Sequence, residues 1–313
     1  MYHAAGNRLA GMTRLTKTSL ATITACIVAG SAVAFGGTAA SAAGTGAGKN
    51  VCANVLSQQQ LDAGKHAATT AVSPDVEAAV TKYKSTHQLF PKPTAAELAE
   101  SEAHTALKER MFANGEIKAR QVSCARASTQ ATGQITWMYQ YGQVTNYFCG
   151  PAVVSMFSAT VPGSSPYNLD QWTVANYMGT PSAGGTGAAA ETNGLNYYVG
   201  MPDFGFNFYG MVWMSDPPTA AQKTDFSNRL ATNVGVSSPI AGLAWEVPYG
   251  PHLTGHPVSQ EIGHWIEIGG YNTGTSQVWY ADPATTVWSS VPAYSWFDTN
   301  TMAIILGGYG YIW

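Results

Sequence analysis

A cysteine followed by Gly-Pro-Ala and an apolar run, Cys149-Gly150-Pro151-Ala152-Val153-Val154, places a thiol where a helix would begin. Proline is favoured in the first turn of a helix, because its missing N–H has no partner to lose there. At such a start the unpaired N–H groups and the helix dipole favour a thiolate, with Cys149 as the cap. Gln143 lies six residues upstream and carries a side-chain amide. Far downstream His264 stands in Gly263-His264-Trp265-Ile266-Glu267-Ile268, and Asp282 follows Val278-Trp279-Tyr280-Ala281. A thiol, an imidazole, a carboxylate and an amide are the four parts of nucleophilic acyl transfer: nucleophile, base, orienter of the base and oxyanion donor. Each has a plainer reading alone. A buried cysteine is a small hydrophobe, a strand histidine is usually a satisfied structural residue, and Asp-Pro opens turns.

The chemistry needs elements that hold these groups. A helix is expected from Cys149 onwards, with others at Leu169–Met178 and Ala220–Leu230. Strands are expected at 239–245, 263–271, 276–281, 286–290 and 301–309, separated by Gly, Asn and Pro turns. An antiparallel pairing of the second and third strands around Asn272-Thr273-Gly274 would bring His264 towards Asp282. Gly184-Gly185-Thr186-Gly187 lacks the Lys-Ser/Thr of a phosphate-binding loop and reads as a flexible loop. His252, His256 and His264 invite a metal reading. Pro251 and Pro257 disfavour a helical pair of ligands there, and no cluster of cysteines or carboxylates completes a site, so neither a metal nor another cofactor is expected.

Composition divides the chain. Residues 133–313 hold only Lys223 and Arg229 against ten acidic residues, and all nine tryptophans. That stretch has the aromatic material for a core, and its formal charge of −8 argues against nucleic acid or anionic lipid as partner. Residues 44–126 carry ten Lys/Arg against eight Asp/Glu and no tryptophan, and they read as helical. Ser73-Pro74 opens one helix and the Thr94-Ala95-Ala96-Glu97 capping box opens another, with Pro91-Lys92-Pro93 between them. This region could be a propeptide, an accessory lobe or a solvated spacer.

At the N-terminus, Arg8, Arg14 and Lys17 precede an uncharged run to Phe35, and Ala40-Ser41-Ala42 offers a small-residue cleavage site. The expected division is a signal peptide at 1–42, a helical region at 43–132 and a catalytic-type domain at 133–313, with export and no membrane insertion after signal removal. Signal removal leaves Cys52, Cys124 and Cys149. An odd count in an exported protein means one unpaired thiol or an intermolecular bridge; pairing Cys52 with Cys124 frees Cys149, while a structural bridge to Cys149 is the alternative.

The pattern Gln143-x5-Cys149-Gly150-Pro151-Ala152, then Gly263-His264-Trp265 running into Ile268-Gly269-Gly270-Tyr271, then Tyr280-Ala281-Asp282-Pro283, resembles the bacteriocin-processing, double-glycine peptidase family. More closely it is similar to that family's secreted stand-alone relatives, within the papain-like superfamily. The resemblance implies an α+β fold in which a helical part carrying the nucleophile packs on an antiparallel sheet. It also implies Cys149 as nucleophile, His264 as base, Asp282 as orienter and Gln143 as oxyanion-hole residue. The expected activity is that of an exported cysteine peptidase acting on peptide or cell-wall peptide. Two alternatives keep the scaffold: an amide-transferring, transglutaminase-like enzyme, and an inactive secreted binding module.

Overall fold

The structure, a computed structural model, describes residues 72–117, 133–161 and 169–313. Cys52 and Cys124, the proposed disulfide partners, lie outside the described residues, as does the signal segment. Two helices come first, α1 (Pro74–Thr86) and α2 (Ala95–Ala113). Strand β1 (Gly133–Ile135) follows, then α3 (Cys149–Thr160), α4 (Gln171–Met178) and α5 (Ala188–Leu195). A π-helical turn (Asn196–Gly200) leads into α6 (Met201–Phe204) and β2 (Met211–Trp213). After α7 (Ala220–Gly235) come β3 (Ile240–Glu246), β4 (Ile262–Asn272) and β5 (Gln277–Ala281). A 3₁₀ turn (Pro283–Thr286), β6 (Tyr294–Asp298), α8 (Thr299–Leu306) and β7 (Gly310–Ile312) complete the chain.

The strands form one antiparallel sheet in the order β2-β7-β3-β4-β5-β6, with β1 added to the far end of β4. Successive side chains of a strand face opposite sides. On β4, Trp265 accordingly enters a core shared with Val153 and Phe157 of α3, while Ile266 and Ile268 enter a second core with Phe226 and Leu230 of α7 and Met302 of α8. The helix carrying the thiol thus lies on one face of the sheet, and α7 and α8 cover the other. The chain combines helices with an antiparallel sheet, as the α+β expectation required. Among the described residues no helix is long and apolar enough to cross a membrane.

Local signals account for most of the helices. Ser73 caps α1 by accepting from Val76 N, and Thr94 and Glu97 make both bonds of the capping box at α2. Asp170 caps α4 and Gly179 ends it in the left-handed conformation at φ 63°. Two expected strands need correction. Residue 286 ends the 3₁₀ turn and 287–290 continue as turns and irregular chain, and 301–309 is mostly helix α8. Asp298 accepts from Thr301 N at 2.7 Å and so starts a helix through a run buried from Thr301 to Leu306. An apolar run of that length has no period to separate strand from helix. Strand β6 was not among the expected elements.

The N-terminal helices are docked on the rest of the molecule, so the described part is no solvated spacer. Lys84 of α1 is buried and donates to the carbonyls of Ile304 (3.1 Å), Ile305 (3.4 Å) and Gly307 (2.7 Å) at the C-terminal end of α8, where Ile304 O also accepts from Gly307 N. Lys108 of α2 is buried with its Nζ 3.6 Å from the Phe208 ring centroid and 4.5 Å from that of Trp313. Between the helices, Tyr309 OH takes the N–H groups of Leu89 and Phe90 and donates to Phe90 O at 3.0 Å. Their side chains lie on Gly263, where an added Cβ would sit 2.5 Å from Leu89 Cδ2 and 2.8 Å from Phe90 Cε2.

Candidate active site

Helix α3 is buried along its whole length, which suits a helix apolar on every side. Its N-cap is Phe148 and Cys149 is its first residue; Pro151 follows at the third position, one turn-position later than the sequence suggested. Cys149 is a free, buried cysteine. A residue at that place faces the free N–H groups of the first turn. Gly150 is required by its surroundings: a Cβ there would lie 2.5 Å from Thr186 Oγ1 and 2.6 Å from Thr186 Cβ, and would also meet Glu191 Oε2.

His264 sits near the start of β4, opposite Ala244 of β3, and Asp282 directly follows β5. His264 Nε2 is 2.9 Å from Asp282 Oδ1, and both side chains are almost fully buried. That leaves His264 Nδ1 without a hydrogen-bond partner, and Cys149 lies close enough to the ring to contribute to its raised pKa. Ala284 N donates to the same Asp282 oxygen at 2.8 Å, closing the 3₁₀ turn onto the carboxylate. The sheet therefore brings His264 and Asp282 together, and α3 brings Cys149 to them.

The electrostatics follow this geometry. Burial would raise the thiol's pKa, but the hydrogen bond and charge of His264, with backbone donors at Trp265 and Gly150, carry it below its ordinary value. Burial would lower His264, but Asp282 foremost and then Cys149 push it up to about 10. Asp282 is opposed by burial and held well below the usual carboxylate range by His264 and His256. Each shift favours the ion pair, a thiolate beside an imidazolium.

Gln143 is buried in the loop before α3, with Nε2 donating to Thr145 O at 2.8 Å and Oε1 without a partner. One of its two amide N–H groups is thus engaged locally. Its own backbone is held from both sides, by Gln143 N donating to Pro283 O at 2.8 Å and by Thr286 Oγ1 donating to Gln143 O at 2.6 Å. The residues after Asp282 therefore clamp the loop that leads to Cys149.

Three further residues stand close to this group and were not singled out for it. Glu191 of α5 is fully buried, both oxygens lack partners, and burial first, then Cys149, holds it well above the usual carboxylate range. A neutral carboxyl therefore lies behind the first turn of α3. His256 and Glu246 form the other addition: His256 Nε2 is 3.1 Å from Asp282 Oδ2 and His256 Nδ1 is 2.7 Å from Glu246 Oε1. The spacing of His252, His256 and His264 raised only a metal reading, because nothing in a loop rich in Gly and Pro announces which side chains turn inward. His256, His264 and Asp282 do present their polar atoms within 4.8 Å of one another, and both Nε2 atoms face carboxylate oxygens at hydrogen-bonding distance. His252 instead places its two ring nitrogens 3.0 Å from the carbonyls of Gly250 and Gln260.

No curated protein matches the chain. Residues 132–302 match the profile of the Peptidase_C39 like family, a span that begins just before β1 and runs into α8, enclosing Gln143, Cys149, Glu191, Glu246, His256, His264 and Asp282. On that match over more than half of its length, the chain belongs to the Peptidase_C39 like family.

Proposed function

We propose that this chain is an exported cysteine peptidase that hydrolyses peptide bonds through Cys149, His264 and Asp282. The observation that carries the reading is the buried line from the Cys149 thiol to His264 and from His264 Nε2 to Asp282 Oδ1 at 2.9 Å. The Cys149 sulfur would attack the scissile carbonyl, forming a C–S bond and an oxyanion. Collapse of that species breaks the C–N bond, and the proton on His264 goes to the departing amine. Water, giving its proton back to His264, then cleaves the thioester and releases the acid. Asp282 keeps the ring oriented throughout. The Cys149 backbone N–H and the second N–H of the Gln143 amide are the donors assigned to the oxyanion.

Membership in a peptidase family supports a peptide substrate, and the acidic, aromatic-rich composition of residues 133–313 suits a neutral or basic chain over an acidic one. Export rests on the basic, then uncharged N-terminal sequence ahead of Ala40-Ser41-Ala42. The docking of these helices against Gly263, next to the proposed base, supports reading residues 72–117 as an accessory lobe or a propeptide.

The test is the rate of Cys149 alkylation by iodoacetamide near neutral pH, followed by mass spectrometry, alongside hydrolysis of a mixed peptide and peptidoglycan pool. Rapid labelling that His264→Ala slows by ten-fold or more, with cleavage abolished in Cys149→Ala, is expected. Slow labelling indifferent to His264→Ala would sink the reading.

A further inference from the structure

We propose that His256 and Glu246 are positioning residues for the catalytic group: His256 hands one N–H to each of two buried carboxylates, anchoring Asp282 and offsetting its charge. The proposal rests on the reading of Cys149, His264 and Asp282 as the catalytic set.

The geometry leaves little choice of protonation. The two His256 nitrogens lie 2.7 Å from Glu246 Oε1 and 3.1 Å from Asp282 Oδ2, and all three side chains are at most 1% exposed. An ionised carboxylate is acceptor-only, so serving both requires a proton on each ring nitrogen. His256 is then an imidazolium between two anions. Without it Asp282 Oδ2 would be a buried anionic oxygen with no donor, since His264 and Ala284 both address Oδ1. A carboxylate held at one oxygen can rotate; one held at both cannot.

The charge matters as much as the hold. The His256 and His264 rings are 5.1 Å apart between centroids, so a cation at His256 opposes protonation of His264 while Asp282 favours it. Asp282 alone would fix His264 as a more persistent imidazolium. With His256 in place the base can give up its proton to a leaving amine more readily, which is what general acid catalysis needs. The groups facing His256 are Glu246 from β3, Asp282 after β5, His264 from β4 and the ring of Trp288. His252 lies 4.0 Å from Glu246 on its other side, Leu253 N donates to Glu246 Oε2 at 3.2 Å, and Tyr280 OH accepts from Thr254 N in the same loop.

The experiment reads the pH dependence of Cys149 alkylation by iodoacetate, whose negative charge makes the reaction depend on the His264 imidazolium and so gives an alkaline limb. His256→Gln is expected to move that limb up by roughly one pH unit and to slow the reaction at neutral pH. Glu246→Gln, which removes the anion that keeps His256 charged, should move it in the same direction by less. A purely structural role would lower the rate and leave the limb in place, and that outcome in either folded variant overturns the proposal. The wild-type chain supplies an independent check: ¹H–¹⁵N spectra of its imidazoles should show both His256 nitrogens protonated at pH 7. A neutral His256 tautomer there overturns the proposal whatever the variants do. If wild-type Cys149 alkylates slowly and regardless of His264, the catalytic reading itself has failed; if it is activated and the limb does not move, only the role of His256 falls.

Discussion

Replacing Gly150 by alanine sets two effects of opposite sign against each other. Gly150 is the second residue of α3, and alanine in a helix is intrinsically better than glycine by about 1 kcal/mol. Against that, the new Cβ would lie 2.5 Å from Thr186 Oγ1 and 2.6 Å from Thr186 Cβ, and would press on Glu191 Oε2, where an ordinary contact needs more than 3.4 Å. Thr186 cannot simply yield, because its carbonyl holds the indole N–H of Trp265 at 2.9 Å and its hydroxyl lies 2.9 Å from that of Thr180. Glu191 is fully buried, with neither carboxyl oxygen hydrogen-bonded. Overpacking costs about 1–3 kcal/mol, and the shift needed here, close to 1 Å on several atoms, puts it in the upper part of that range, about 2–3 kcal/mol, so the steric effect should win with a net loss of about 1–2 kcal/mol. Urea unfolding gives the magnitude, with Gly235→Ala as control: Gly235 ends α7, nothing lies within 4 Å of an added Cβ, and it should be neutral or stabilising. Alkylation of Cys149 supplies the second readout. A displaced Thr186 disturbs Trp265, whose backbone donates to the thiolate, so labelling should slow. Glu191→Ala added to Gly150→Ala should recover part of the stability and no more, because the Thr186 contacts remain. A Gly150→Ala chain as stable and as reactive as wild type would refute the reasoning.

Lys84→Met removes the donor to three carbonyls at the end of α8 and leaves them buried, so a loss of about 2–3 kcal/mol in urea unfolding is expected, with faster amide exchange in α8. Lys108 is different: burial first, then Arg229, hold its amine well below its ordinary pKa, and its nitrogen has no hydrogen-bond partner. The unfolded chain therefore binds a proton that the folded chain resists, so wild-type stability should rise with pH towards the ordinary lysine pKa. Lys108→Met should match or exceed wild-type stability at pH 7 and flatten that rise. His256 has the opposite sign. Its pKa is pushed up to about 9 in the folded chain, against burial, by Glu246 and Asp282, so its contribution is full below pH 6.5 and fades as pH rises through 9. Comparing urea midpoints of wild type and His256→Gln at pH 6 and pH 9.5 checks this: the gap should narrow at the higher pH.

Much of the site was legible because chemistry and local signals coincide there. Cys149 before an apolar run, His264 inside an alternating segment and Asp282 at a strand end each occupy the kind of element that the sequence suggested. The capping boxes and proline starts of α1 and α2 were equally direct, since they depend on neighbours three or four residues away. What escaped depends on tertiary neighbours. Glu246 ends a strand buried along its length, and only the fold shows that a loop histidine ten residues later turns back to meet it. Residues 301–309 looked like a strand because an apolar run buried on all sides carries no period. Lys84 and Lys108 entered only as part of the basic count of residues 44–126, whereas each is buried against the domain that follows.

The irregularity in β4 has a consequence for the odd-and-even bookkeeping of the hairpin. From the turn, Asn272 pairs with Gln277, Tyr271 with Val278 and Gly270 with Trp279; beyond Gly269 the partners become Ile268 with Tyr280 and Glu267 with Ala281. Carried one residue further, this places Asp282 opposite Ile266, whose side chain shares a face with that of His264. Had Gly269 been paired in the ladder opposite Tyr280, Asp282 would stand opposite Glu267, on the wrong parity and beside another carboxylate. The single surplus glycine acts as a phase shift between the turn and the candidate site. Residues added at the tip, around Thr273–Ser276, would leave the phase untouched, and deleting Gly269 itself would keep Ile268 opposite Tyr280; a residue inserted between Glu267 and Ile268 and paired in the ladder would instead move Asp282 to the other parity from His264.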